Sequence, residues 1–252
     1  MLEVKELTVS YGSLTVVDRL SFSVEEGQWL MITGPNGAGK STVLNALTGG
    51  AAYSGEILFC GENIRKKKPA ELARLMGILM QNHPSAYSFT VEEVVSLGRY
   101  CYSRGFLSGR GSGDDEAVER ALGLTGMARQ RKQSILTLSG GELQRTFLAQ
   151  VLAQDPELLL LDEPSNHLDL IYQKQIFGII TDWLKAPRRA VISVVHDLSL
   201  AKAYGTKALL MDRGKAAAMG DISEVLTPEN LDPVYQMDVA AWMRQMLSQW
   251  EE

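Results

Sequence analysis

Hydrophobic positions along this chain follow a period of two at its start and a period near 3.6 through its middle. Residues 2–9 alternate apolar and polar, and 16–24 and 28–33 are rich in apolar side chains. All three stretches predict strands, with "YGS" (11–13) and "EEG" (25–27) as turns. Helical spacing covers 40–48. "SGEILFCGENI" (54–64) predicts a hairpin turning at Cys60 and Gly61, and Pro69 opens a predicted helix over 69–76. "GILMQ" (77–81) reads as a short buried strand. From 85 to about 155 the strand signal disappears. There 90–99, 115–124 and 140–153 have helical spacing, and the glycine-rich "RGFLSGRGSGDD" (104–115) is expected to be an exposed loop. Strand patterns return at 157–162, 190–195 and 207–212, with a helix near 170–185, and the tail from 221 to 252 is helical in pattern. This order predicts an α/β core with a parallel sheet, interrupted by an all-helical insert.

Composition narrows the class. The 252 residues are 45% hydrophobic and 22% charged, which suits one substantial globular core. A net charge of −5 argues against a broad electrostatic partnership with nucleic acid. Cys60 and Cys101 have no metal-like spacing and read as reduced thiols. No secretion signal is visible at the start, and the longest apolar runs, in "ELLLLDEP" (157–164) and "RAVISVV" (189–195), fall far below the ~20 residues a membrane helix needs. A role at a membrane would therefore require docking by another protein.

Two loops carry candidate phosphate chemistry. "GPNGAGKST" (34–42) matches G-x-x-x-x-G-K-[ST] at every fixed position, after a predicted strand and before a predicted helix. Its glycines let backbone N–H groups turn toward phosphate oxygens, Lys40 adds a cation for the β and γ phosphates, and Ser41 offers a hydroxyl to Mg²⁺. Gly34, Pro35, Asn36, Gly37, Ala38, Gly39 and Thr42 complete the loop. The second loop is "TLSGGELQR" (137–145), a paired glycine after a serine, at the start of a helical pattern. Ser139 is also a good N-cap residue. "LLLLDEP" (158–164) is a buried strand ending in two acids, which suits Asp162 for Mg²⁺ and Glu163 for orienting and deprotonating a water.

Six motifs in order, "GPNGAGKST", "LMQN" (79–82), "LSGGE" (138–142), "LLLLDEP", "SNHLD" (165–169) and "VVHD" (194–197), make residues 1–230 resemble the nucleotide-binding subunit of an ABC transporter. The resemblance implies a P-loop NTPase core with a mixed, mainly parallel sheet, an antiparallel N-terminal β part and an inserted all-helical subdomain. It divides one domain into a core (1–84 and 156–230), a helical subdomain (85–155) and a helical tail (231–252). It also explains why one chain holds two phosphate loops. Such domains pair head to tail, so Ser139, Gly140, Gly141 and Glu142 would cover ATP held by a second copy. Glu142 stands where the family often has glutamine.

The same resemblance implies that Gln81 touches Mg²⁺ and senses the membrane partner. His196 would hold the γ-phosphate, Asp169 would reach across the dimer, and Tyr11 would stack on adenine. His83 and His167 are expected at the surface, "RKKKP" (65–69) as a solvated run, and the Trp and Met residues of 237–250 as packing. "TVEEVVSLGRY" (90–100) and "EVLTPENLDPVYQMDV" (224–239) resemble importers of iron–siderophore complexes, haem and cobalamin. That implies ATP and Mg²⁺ as cofactors. It implies as partners a second copy, polytopic permease subunits and, indirectly, a substrate-binding protein, at the cytoplasmic face of the cell membrane. An exporter ATPase, a soluble ABC ATPase and a P-loop switch protein are the alternatives; the importer-like segment, the single motif set and the serine-glycine loop argue against them in turn.

Overall fold

The computed structural model describes residues 1–80, 88–102, 112–166 and 168–250. In chain order its first elements are β1 (Leu2–Tyr11), β2 (Leu14–Val24), β3 (Trp29–Thr33), α1 (Lys40–Leu47), β4 (Ser54–Phe59), β5 (Glu62–Asn63), α2 (Pro69–Leu75) and β6 (Met76–Leu79). Then come α3 (Val91–Leu97), α4 (Ser112–Leu124), α5 (Gly140–Ala153), β7 (Leu158–Asp162), α6 (Leu170–Leu184) and β8 (Ala190–Val194). The last are α7 (Leu198–Tyr204), β9 (Lys207–Asp212), β10 (Lys215–Asp221), α8 (Ile222–Val225), α9 (Pro228–Tyr235) and α10 (Val239–Ser248). The chain forms two compact units, Met1–Asn63 with Val194–Glu252, and Ile64–Ser193.

In the first unit β2, β1, β4 and β5 form an antiparallel sheet, with Val4 opposite Phe22 on one side and Ile57 on the other. The alternation of β1 changes phase. Leu2 and Val4 are buried, and so are Leu7 and Val9. A register shift between Val4 and Leu7, with Glu6 at φ 49°, absorbs the extra residue and keeps both pairs on the core face. β3 is buried along its whole length, as strands covered on both faces are, and runs parallel to β9, to which β10 adds an antiparallel edge. Thr206 Oγ1 accepts the Trp29 N–H at 2.9 Å and ties the start of β3 to the entry of β9.

In the second unit β6 and β7 pair in parallel, Ile78 opposite Leu160. Leu158 to Leu161 are fully buried, each worth about 1.5–3 kcal/mol of transfer free energy. Between these strands the described residues hold only helices and one isolated bridge, Thr90 to Ser134. The α/β class and the helical insert thus appear as the periodicity predicts. The expected loop over 104–115 needs correction at its end. Residues 103–111 lie outside the described residues, but 112–115 are already the first turn of α4, where Asp114 and Asp115 complement the positive helix end. The expectation for the tail also fails in part. α10 is helical, yet it packs mainly through its N-terminal half; Trp242, Met246 and Trp250 are 49%, 49% and 85% exposed. Helical spacing gave the element but not the covering surface.

α3, α4 and α5 pack around Val91, Val95, Ala121, Leu122 and Leu148. Ion pairs join them at the rim. Arg131 reaches Glu92 and Glu119 at 2.7 Å each, and Lys132 reaches Glu92 at 2.6 Å. Hydrogen bonds from Arg131, then from Lys132, hold the Glu92 carboxyl down at about 2. A carboxylate depressed in the fold stabilises it fully above its unfolded value of 4.5 and progressively less as pH falls toward 2. Solvent reaches both cations, which leaves about 1–2 kcal/mol. Glu92→Gln is therefore expected to lower Tm at pH 7 and to flatten the Tm profile between pH 4.5 and 2. An acid limb identical to that of the parent chain would contradict this.

Candidate functional site

The first unit presents the phosphate loop between β3 and α1. Gly34 takes φ 139°, and a Cβ there would strike the Met211 carbonyl, so only glycine fits. The Ala38 carbonyl accepts the Gly214 N–H at 3.1 Å, and the Ala38 N–H returns to the Pro35 carbonyl at 3.2 Å. Lys40 is buried, and its Nζ donates to the carbonyls of Gly34 at 2.8 Å and Pro35 at 2.9 Å. The ammonium is thus held within the turn of its own loop. α1 starts at Lys40 with no side-chain cap and no acid in its first turn, so the positive end of its dipole suits an anion.

His196 follows β8 and is exposed. The next residue caps α7, Asp197 Oδ1 accepting the N–H groups of Ser199 at 2.7 Å and Leu200 at 3.2 Å. Tyr11, at the end of β1, is 52% exposed.

The second unit holds the acids and the serine-glycine loop. Asp162 ends β7 and is 7% exposed. Glu163 takes φ 51°, a left-handed conformation that costs a non-glycine residue roughly 1–2 kcal/mol. Asn166 holds it there, its backbone N–H on the Glu163 carbonyl at 3.1 Å and its Nδ2 on Oε2 at 2.8 Å. Ser139 caps α5 in a reciprocal box with Glu142: Ser139 N–H and Oγ donate to Oε2 at 2.9 and 2.8 Å, and Oγ accepts the Glu142 N–H at 3.4 Å. These bonds, the one from the Ser139 backbone first, hold the Glu142 carboxyl below its usual range.

Asp169 caps α6 through the Tyr172 N–H at 3.1 Å, and the Tyr172 ring lies where a Cβ on Gly141 would be, 2.6 Å away. Arg145 covers that ring at 5.1 Å and bonds Gln175 at 2.6 Å. Gln144 Nε2 reaches the Pro164 carbonyl at 3.3 Å. The loop after β7 and the serine-glycine loop are therefore brought together within this unit. Gln81, His83 and His167 lie outside the described residues.

Residues 17–166 match the ABC transporter family. The chain is 36% identical to the iron(3+)-hydroxamate import ATP-binding protein FhuC of Bacillus subtilis, over 94% of this chain and 88% of FhuC. It is 37% identical to the hemin import ATP-binding protein HmuV of Pseudomonas fluorescens, over 95% and 94%. The chain belongs to the ATP-binding subunits of ABC transporters. It is 39% identical to the uncharacterized ABC transporter ATP-binding protein YvrA of B. subtilis, and spans about half of YvrA's length. Among solved structures it is similar to cbiO1 of Clostridium perfringens, part of the ABC transporter complex cbiONQ, with TM-score 0.81, 25% identity and coverage of 97% and 98%.

This ABC subunit uses residues that its motifs did not single out. Asn166 steadies Glu163, Tyr172 seats Gly141, and Gln144 ties α5 to the loop after β7. Asn166 stands inside "SNHLD", so its position three residues after Glu163 was the available signal; nothing in the spacing pointed to Tyr172 or Gln144. Asn166→Ala is expected to lower ATP turnover about 5-fold, the loss of one hydrogen bond to a carboxylate, with little change in nucleotide affinity. Equal turnover in the variant, measured by phosphate release, would show that Glu163 is positioned without it.

Proposed function

We propose that this chain is the ATP-hydrolysing subunit of an importer for a metal chelate of the iron–siderophore, haem or cobalamin type. The observation that carries the nucleotide half of this reading is the phosphate loop, with its buried Lys40 at the start of α1, a helix with no acid in its first turn. The importer half is supported by near full-length similarity to FhuC and HmuV, whose names place them in hydroxamate and hemin import.

In this reading 1–84 and 156–230 form the nucleotide-holding core, 85–155 carry the serine-glycine loop, and 231–252 form a tail. Residues 34–42 hold the ATP phosphates, and Tyr11 stacks on adenine. Two copies close head to tail, so that Ser139, Gly140, Gly141 and Glu142 of one meet the γ-phosphate held by the other, with Asp169 reaching across. For Ser139 Oγ to reach the phosphate it must first leave the Glu142 carboxylate. Glu163 takes the proton of the attacking water as the bond to the γ-phosphorus forms and the bond to the β-phosphate oxygen breaks. His196 holds the γ-phosphate. Positioning and electrostatics supply most of the acceleration.

Among the described residues no cluster of three or more His, Cys, Asp or Glu could cage a metal. The donors present are hard oxygens, the Ser41 hydroxyl, the Asp162 carboxylate and, by resemblance, the Gln81 amide. That set fits Mg²⁺, which keeps water and phosphate in most of its coordination positions. When bound it neutralises charge on the β and γ phosphates. Among the described residues no helix is long and apolar enough to cross a membrane. In this reading the chain docks beneath permease subunits fed by a substrate-binding protein. That docking places the chain on the cytoplasmic face.

Glu163→Gln is expected to keep MgATP binding and lose at least about 100-fold in turnover. Purified with MgATP from detergent-solubilised membranes, the same variant should carry a polytopic permease identifiable by mass spectrometry. Recovery with ribosomes, DNA or no partner would leave the ATPase and remove the transport assignment; turnover near that of the parent chain would remove Glu163 as base.

A further inference from the structure

Within the first unit α7 and the last three helices enclose a cleft of about 280 Å³. That is just below the roughly 300–1,000 Å³ of ordinary ligand clefts, so it suits a small molecule. α7 gives one wall, the end of α8 with α9 a second, and α10 a third. The apolar lining includes Leu226, Leu231, Val239 and Met243, the first three of them buried. The charged lining is Lys202 from α7 and Arg244 from α10, and no acid lines the cleft.

Two cations without an acid stand out in a chain whose net charge is −5. Acids are close by in sequence, but the backbone engages them. Asp197 accepts the N–H groups of Ser199 and Leu200, Asp232 accepts that of Val239 at 2.9 Å, and Asp238 accepts that of Ala241 at 2.7 Å. Lys202 and Arg244 have no ion pair among the described residues. The same carboxylates hold the walls in place. Asp197 caps α7, Asp238 caps α10, and Asp232 ties α9 to the first residue of α10. Asn230 Nδ2 adds bonds to the carbonyls of Glu224 and Val225 at 3.1 Å each, which fix α9 on α8. The cleft is thus preformed, and a ligand would not have to order it.

Such a lining recognises an apolar body with an anionic head. The body removes leucine, valine and methionine surface from water, and the head takes charge-assisted hydrogen bonds from both cations. A neutral apolar molecule gains only the first term, and a cationic one is repelled. We propose that this cleft is a binding site for a small amphipathic anion, a carboxylate on an aliphatic or aromatic body. None of its lining residues belongs to the phosphate loop, the two acids or the serine-glycine loop, so its occupant is a ligand other than the nucleotide.

The test titrates the full chain by calorimetry with octanoate, with 1-naphthoate, and with octanol as the uncharged counterpart. At least one of the anions is expected to saturate a single site with Kd below about 1 mM, about 5-fold or more tighter than octanol. Replacing both cations, Lys202→Ala with Arg244→Ala, is expected to weaken the anion about 10-fold and to leave octanol within about 2-fold. Ala240→Phe fills the cleft and should weaken anion and alcohol alike by about 10-fold. An excess of a non-hydrolysable ATP analogue with Mg²⁺ should leave the anion's Kd unchanged. No saturable binding of either anion overturns the proposal, as does equal affinity for octanol or an unchanged Kd in the double variant. Binding that survives Ala240→Phe would place the anion on the exposed surface of Trp242 and Trp250 and overturn it too. Displacement by the analogue would place the anion at the phosphate loop, overturning the cleft and leaving the ATP reading intact.

Discussion

A buried ammonium needs oxygen partners, and in this protein the backbone of one loop supplies them. Lys40 is 6% exposed, and an unpaired cation at that depth would cost several kcal/mol. The carbonyls of Gly34 and Pro35 turn inward to meet it, which sends the neighbouring N–H groups in other directions. Gly34 can make that turn because its positive φ and its contact with the Met211 carbonyl exclude any side chain. The loop's capacity for an anion follows from this. Its cation is already in place, so exchanging two carbonyls for phosphate oxygens requires no further cation to be buried.

The acids are arranged on a related principle of stored constraint. Glu163 sits in a left-handed conformation directly after a strand whose four leucines are fully buried, so the strand end cannot relax. Asn166 closes the turn through both its backbone and its side chain. The result is a carboxylate whose direction is set by the backbone. In the same unit Tyr172 does for Gly141 what Met211 does for Gly34: a neighbour occupies the space of a side chain and so dictates both residue type and position. The Asp169 cap and the seat of the serine-glycine loop are two ends of one short segment of α6.

Much of this was legible in the order of residues. Alternation marked the strands, since one face of each is buried. The leucine run marked β7, since both faces are. The phosphate loop, the two acids and the serine-glycine cap are local arrangements, built from residues a few positions apart, and local arrangements leave a spacing. Ser139 was legible as an N-cap for that reason, and the structure adds its reciprocal bond with Glu142, three residues on. α10 marks the limit of such reasoning. Its pattern names a helix, but whether Trp242 and Trp250 are covered depends on what stands opposite, and periodicity carries no information about that.

The sequence by itself determined the class of fold, the family and the residue types that chemistry on a phosphate requires, because those rest on contacts within a turn or a strand. The tertiary structure alone decided the left-handed backbone of Glu163, the Tyr172 ring over Gly141 and the Met211 carbonyl over Gly34. The last joins residues from opposite ends of the chain. Such contacts are chosen by packing, which selects for shape and reach, and a single chain's order of residues records neither.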